Sequence, residues 1–89
     1  MIPTIKHYGR DENTLSLYFA NYTLHYSYTT LVAFQFAGHP MVVRKNDWQQ
    51  TTGKHLNVLE AHFGGCKADR LDATSFNHEF KMQSMGVFE

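Results

Sequence analysis

The sequence lacks several features that define large classes of protein. It has a single cysteine, Cys66, which excludes an intramolecular disulfide framework and favours a reducing compartment. No apolar run approaches the roughly 18 residues that span a bilayer, and the first residues lack the apolar core of a signal peptide. We therefore expect neither a membrane protein nor a disulfide-rich secreted one.

An excess of charge of either sign is also absent. Eight basic and eight acidic residues give a net charge of zero, which excludes a strongly basic nucleic-acid clamp or an acidic nucleic-acid mimic as a design of the whole molecule, although not a local patch. The chain instead has 43% apolar and 15% aromatic residues, enough to build a core. Its 89 residues predict one small domain, 1–89, of modest stability.

The first half of the chain carries strand patterns. Residues 14–20 alternate between apolar and polar side chains, which is typical of a half-buried strand. Residues 31–36 are almost all apolar, which predicts a central strand covered on both faces. Asn21 can adopt the positive φ of a tight turn. Together these signals predict an antiparallel meander of four strands at residues 14–20, 23–28, 31–36 and 41–44, with a short extra N-terminal strand before Tyr8.

In the second half of the chain, the spacing of apolar residues changes from that of a strand to that of a helix. Apolar residues spaced three and four apart predict a helix that begins with Thr51 or Thr52 as its N-cap and ends at Phe63, before Gly64–Gly65. A capping-box spacing at Asp47 leaves an earlier start open.

A second helix is predicted to open at Asp72. Leu71 and Phe76 would then occupy the two positions of a hydrophobic staple, and Val87 could extend the apolar face. The sequence therefore predicts an α+β fold in which an antiparallel four-stranded β-meander carries two C-terminal helices packed on one face.

Two stretches resemble a known family. Residues 27–34 fit the pattern Ser-Tyr-x-Thr-x-Val-Ala-Phe, and residues 48–57 fit aromatic-x-x-Thr-Thr-x-Lys-His-x-Asn. Their order and separation resemble a family of short, functionally uncharacterised proteins encoded by bacteriophages and archaeal viruses. The resemblance covers roughly the middle third of the chain. It implies a viral origin and an accessory role in the cytoplasm of an infected host cell, and it brings no established activity.

The start of the first helix is the first candidate site. Helix N-termini attract anions, and Thr51, Thr52, Lys54 and His55, with Arg44 from the preceding strand, could complete a phosphate-sized pocket. The alternative is that one threonine caps the helix, the other packs, and the lysine is solvated. The predicted meander holds no lysine or arginine between residues 14 and 43, which weakens the case for a nucleic-acid platform on the sheet itself.

Signals for catalysis and for metal binding are weak. The sequence has no nucleophile elbow, no paired-carboxylate signature and no His-Glu-x-x-His segment. His55, His62 and Cys66 lack the paired spacing of tetrahedral zinc sites, and the glycines at 64–65 separate them. We therefore expect a protein that is not an enzyme and that uses no cofactor and no metal.

Exposed aromatic and methionine side chains are the usual anchors of protein interfaces. The available candidates are Tyr22, Tyr26, Trp48, Met82 and Met85, although methionines also fill gaps in cores. The first functional hypothesis is a viral accessory protein that acts by binding a host or viral protein, as an inhibitor or modulator of a host defence factor, and that also forms homodimers. The alternative is a nucleic-acid or nucleotide-phosphate binding module that uses the N-terminus of the first helix.

Overall fold

The computed structural model describes residues 3–10, 12–45, 50–65 and 67–85, apart from the side chains of residues 50–52 and 68. Five strands form one sheet in the order of the chain, and each is antiparallel to the next. The predicted meander and its extra N-terminal strand are therefore confirmed. The strands are β1 (Thr4–His7), β2 (Thr14–Tyr18), β3 (Tyr22–Ser27), β4 (Thr30–Phe36) and β5 (Val42–Val43).

A tight turn joins β3 to β4. Ser27 pairs with Thr30, so the turn has two central residues, and the first of them, Tyr28, has a positive φ of 57°, which is common in hairpin turns of this length. The turn predicted at Asn21 joins β2 to β3, although Asn21 does not use the positive φ that was open to it, and a 2.9 Å hydrogen bond from the Phe19 N–H to the Tyr22 carbonyl closes the turn.

Helix α1 spans Gln50–Phe63. Thr51 and Thr52 lie inside its first turn, so neither is the N-cap, and the alternative start at Asp47 lies outside the described residues. The predicted end is confirmed. Gly64 has a φ of 84°, and its N–H donates to the Glu60 carbonyl at 2.9 Å, which is how a glycine closes the last turn of a helix.

Helix α2 spans Ala73–Ser84 and follows a short 3-10 turn at Lys67–Asp69. Asp72 is its N-cap, as predicted, and accepts a 2.8 Å hydrogen bond from the Ser75 N–H. That hydrogen bond holds the pKa of the Asp72 carboxyl below its usual value. The predicted extension to Val87 lies outside the described residues.

Neighbouring residues of β4 show which face of the sheet each helix covers. Ala33 belongs to a buried cluster with Leu56 and Leu59 of α1, whereas Phe34 belongs to a separate cluster with Phe76 of α2. Successive residues of a strand point to opposite faces, so the two helices cover opposite faces. The α+β class with two C-terminal helices is confirmed, but the placement of both helices on one face is wrong.

The chain passes from one face to the other around the edge of β5. Leu71 forms a parallel bridge with Arg44. Its N–H donates to the Val43 carbonyl at 2.8 Å, and its carbonyl accepts from the Lys45 N–H at 2.7 Å. This crossing is the physical reason for the three-layer arrangement, because it delivers α2 to the face that α1 leaves open.

A buried ion pair ties the crossing segment to α1. The Arg70 Nε donates to Glu60 Oε2 at 3.0 Å, a second guanidinium nitrogen donates to the other carboxylate oxygen, and the same nitrogen donates to Asn57 Oδ1 at 3.1 Å. Both charged side chains are buried. Such a bidentate pair satisfies the two charges together, so loss of one partner would leave the other buried and uncompensated.

Candidate functional site

A cleft of about 860 Å³ lies between the N-terminal segment and α1. One wall is β1 with the turn that follows it, the other wall is α1, and β2 contributes to the floor. The lining residues that carry charge or an accessible ring are Lys6, His7, Arg10, Tyr18, Lys54, His62 and Phe63.

The cleft collects positive charge. Lys6, Arg10 and Lys54 line it, and no carboxylate belongs to its described lining. The whole chain has a net charge of zero, so its cations are concentrated here relative to its acids. Cations that converge on a concave surface attract anionic ligands more strongly than the same charges spread over a convex one.

Helix α1 presents one regular stripe to the cleft. Lys54, Val58 and His62 are four residues apart and all line it. Side chains with this spacing share one side of a helix, and the eight steps from first to last correspond to about 12 Å along the axis. The cleft is therefore a trough that follows the helix.

The backbone of Gly9 comes close to both α1 and β2. A Cβ atom on Gly9 would lie 3.4 Å from Val58 Cγ1 and 3.3 Å from Thr14 Oγ1, so a side chain there would fit only tightly. The Gly9 N–H donates to Thr14 Oγ1 at 3.1 Å, and the hydroxyl of the neighbouring Tyr8 donates to the Tyr26 carbonyl at 2.9 Å. These contacts fix the N-terminal segment on the sheet.

The face of the sheet beneath α1 carries buried polar side chains, and one of them, His25, is uncharged. Ser16 Oγ lies 2.6 Å from Nδ1 of His25, and Ser27 Oγ lies 2.7 Å from Nδ1 of His55. All four side chains are buried. Burial lowers the pKa of His25 from 6.5 to about 4, because removal from water penalises the charged imidazolium. His25 is consequently neutral at physiological pH, and the two Ser–His pairs satisfy polar groups that burial would otherwise penalise.

The rings of Tyr18 and Phe63 lie at the end of the cleft that holds the C-terminus of α1. Phe63 is 39% exposed, and its ring centroid is 4.8 Å from that of His25. The Nζ of Lys6 lies 5.9 Å from the centroid of the Tyr18 ring. The cleft thus offers cations along its length and flat apolar surfaces at one end.

The structure brings together part of the anion site predicted from the sequence. Lys54 is exposed in the cleft, and His55 also lines the cleft while it is bonded to Ser27. Arg44 is not a lining residue of this cleft, because it lies on the bridge between β5 and Leu71. Thr51 and Thr52 lie in α1, and their side chains are outside the described residues.

The predicted methionine anchors are on the surface. Met82 is 54% exposed and Met85 is 67% exposed, so neither fills a gap in the core. Trp48 lies outside the described residues.

The predicted tyrosine anchors are only half-buried. The Tyr22 ring stacks against Phe19 and Phe36, with centroid distances of 4.5 and 5.4 Å. Tyr26 is partly covered, and its carbonyl holds the Tyr8 hydroxyl. Both tyrosines therefore already pack within the fold.

Sequence reasoning missed the N-terminal half of the cleft. Lys6 and Arg10 lie in the segment before the predicted meander, where no sequence pattern connects them to α1. The four-residue spacing of Lys54, Val58 and His62 was the signal available for the helical wall.

Within the described part of the chain, no group of three or more histidine, cysteine, aspartate or glutamate residues is placed to hold a metal ion. Over the same residues, no helix is long and apolar enough to cross a membrane.

Comparison with known proteins gives a family without an assigned activity. No curated protein and no solved structure matches the chain. A family model described as a family of unknown function (DUF8033) matches residues 4–75, which extends well beyond the middle third that carries the sequence resemblance. It spans all five strands, α1 and the first turn of α2. The chain therefore belongs to this family of unknown function, DUF8033.

Proposed function

We propose that this chain is a non-enzymatic binding module that holds a phosphate-bearing ligand in the cleft between β1 and α1. The observation that carries the proposal is the convergence of Lys6, Arg10 and Lys54 on one cleft with no carboxylate in its described lining. In a chain with no net charge, like charges gathered in one cleft repel one another, and an anionic ligand would neutralise them.

The kinds of cation suit phosphate. The guanidinium of Arg10 can donate two parallel hydrogen bonds to one phosphate group, and Lys6 and Lys54 act as point charges for neighbouring phosphates. These groups come from three different parts of the fold, so the site depends on folding.

The serine hydroxyls near the cleft support a binding role without catalysis. Ser16 and Ser27 are each bonded to a histidine, a pairing that can activate a nucleophile. Both are 2% exposed or less and neither lines the cleft. A hydroxyl that cannot reach a bound ligand cannot attack it, so we assign these pairs to the stability of the fold.

The first test replaces two cleft cations without changing their size greatly. We expect an Arg10→Gln, Lys54→Gln double variant to bind linear inorganic polyphosphate about tenfold more weakly than the wild type at low salt, measured by isothermal titration calorimetry. The matched control is a Lys67→Gln, Lys81→Gln double variant, which removes the same charge from exposed positions outside the cleft.

Equal loss in the two double variants would show attraction by net charge alone and would contradict a site in the cleft. Circular dichroism should give the same spectrum for all three proteins, because the four substituted side chains are outside the buried core.

Protein binding is the second candidate function. Ile5, Met82 and Met85 are large apolar side chains that are each more than half exposed, and such residues anchor interfaces. The accessory role against a host factor, the viral origin and the homodimer all stay predictions. For self-association the measurement is light scattering, in which a lone 10.3 kDa monomer at high protein concentration would be the contrary result.

A further inference from the structure

We infer that the ligand of the cleft is a single-stranded nucleic acid, and that one of its bases stacks at the end formed by Tyr18 and Phe63. This inference rests on the proposed function and adds the chemical class of the ligand. It starts from the aromatic rings, which a site for phosphate alone does not need.

The two rings come from elements that the fold brings together. Tyr18 is the last residue of β2, and Phe63 is the last residue of α1. The position of Phe63 against His25 leaves more than a third of its surface exposed. Every nucleic-acid base has a flat π-surface, so an exposed ring can stack on any base that is not already paired and stacked in a duplex.

Lys6 places a positive charge beside a ring on which a base could stack. Its Nζ lies over the Tyr18 ring, so a base at this end of the cleft would meet a ring and a cation together. Single-strand binding grooves combine these two features, with cations that follow the backbone and rings that hold the bases.

The length of the cleft favours a strand over a single nucleotide. The stripe from Lys54 to His62 runs about 12 Å along α1, whereas stacked nucleotides advance by about 3.4 Å each. Cations near both ends of this stripe can therefore contact phosphates that belong to different nucleotides.

The lining also predicts no direct recognition of adenine or cytosine. The described lining residues include no Asn, Gln, Asp or Glu, and these side chains read the edges of adenine and cytosine. The lysines and the arginine can read guanine, whereas stacking and phosphate contacts tolerate any base.

The experiment compares a fluorescein-labelled ten-nucleotide thymidine strand with an abasic strand that has the same number of phosphates, by fluorescence anisotropy. We expect the wild type to bind the thymidine strand about tenfold more tightly than the abasic strand. Tyr18→Leu should reduce this ratio towards one, and Tyr18→Phe, which keeps the ring, should preserve it. Tyr22→Leu is the control, because Tyr22 is half-buried like Tyr18 but lies outside the cleft.

The outcomes separate the two proposals. Equal affinity of the wild type for the two strands would overturn the nucleic-acid inference and leave phosphate binding standing. Tighter binding of a thymidine–adenine duplex than of the single strand would overturn it as well, because paired bases cannot stack on the rings. Failure to bind either strand or polyphosphate would overturn both proposals.

Discussion

At the scale of single residues, His25 shows how α1 shapes the chemistry of the face it covers. Its ring packs edge-on against Tyr8 at 5.9 Å and beside Phe63, and its Nδ1 is bonded to Ser16. The imidazole is therefore removed from water, and among the described residues it has Ser16 as its hydrogen-bond partner and no counter-charge. Keeping it neutral removes a positive charge that would have to be buried beneath α1.

This burial makes the stability of the protein depend on pH. The pKa of His25 is 6.5 in the unfolded chain and about 4 in the folded one, so between these values the unfolded state binds more protons. The free energy of unfolding consequently falls as pH is lowered from 6.5 to 4, with a total loss on the order of 3 kcal/mol from this residue. Urea unfolding above and below that window measures it.

The control for this prediction is the exposed histidine of α2. His25→Gln should remove part of the loss at acid pH, whereas His78→Gln should leave it unchanged. An undiminished loss of stability in His25→Gln would assign the acid sensitivity to another group.

At the scale of elements, the two faces of the sheet are covered by different chemistry. On β2 the most buried residues are Thr14 and Ser16, while Leu15 and Leu17 are only half-buried. The alternation of apolar and polar side chains indicates that β2 has two unlike faces. It does not indicate which of the two faces is more deeply buried in the fold. That depends on hydrogen bonds such as the one between Ser27 and His55, made with residues far away in the sequence.

Local signals were sufficient for the end of α1 and the start of α2. The Asp72 cap and the Gly64 stop act within one turn of chain, so the sequence predicts both correctly. The face that α2 covers is set instead by the Leu71 crossing, a pairing between distant segments that no local pattern reports.

Helix α2 should show a sharp contrast between its inner and outer residues. Phe76 is buried, and its ring centroid is 5.1 Å from that of Phe34, so Phe76→Ala should lower the free energy of unfolding by about 3–5 kcal/mol through the cavity it leaves. Met82→Ala on the same helix should change it by less than about 0.5 kcal/mol. Urea denaturation distinguishes the two, and similar costs would mean that α2 does not pack as described.

At the scale of the whole molecule, the cleft is a product of the fold. It joins residues near position 6 to residues near position 60, and the N-terminal cations have no local pattern that connects them to α1. The sequence could predict that Lys54 belongs to a basic helix start. The N-terminal strand was predictable, but the sequence could not predict that this strand carries Lys6, and the turn after it Arg10, to the same cleft.

Separation of charge within a neutral molecule predicts a strong effect of salt on binding. For a single-stranded oligonucleotide, the logarithm of the association constant should fall with the logarithm of salt concentration with a slope of about −0.7 per phosphate contacted, so about −2 for three contacts. Lys6→Gln should make this slope less steep by about 0.7, the contribution of one phosphate contact. Lys81→Gln on α2 should leave the slope unchanged. Anisotropy titrations between about 50 and 200 mM salt give the slopes, and an unchanged slope in Lys6→Gln would remove Lys6 from the site.

The two edge strands of the sheet differ in how far their outward backbone groups are already bonded, because the Leu71 bridge covers one of these borders. The outward carbonyl of Val43 and the outward N–H of Lys45 are both bonded by the chain itself, whereas all four residues of β1 are exposed at the opposite border. Growth into a fibril by lateral addition of strands needs a free border on both sides of every copy. Copies of this protein that joined through β1 would accordingly stop at two, which protects a small domain rich in β-structure from open-ended polymerisation.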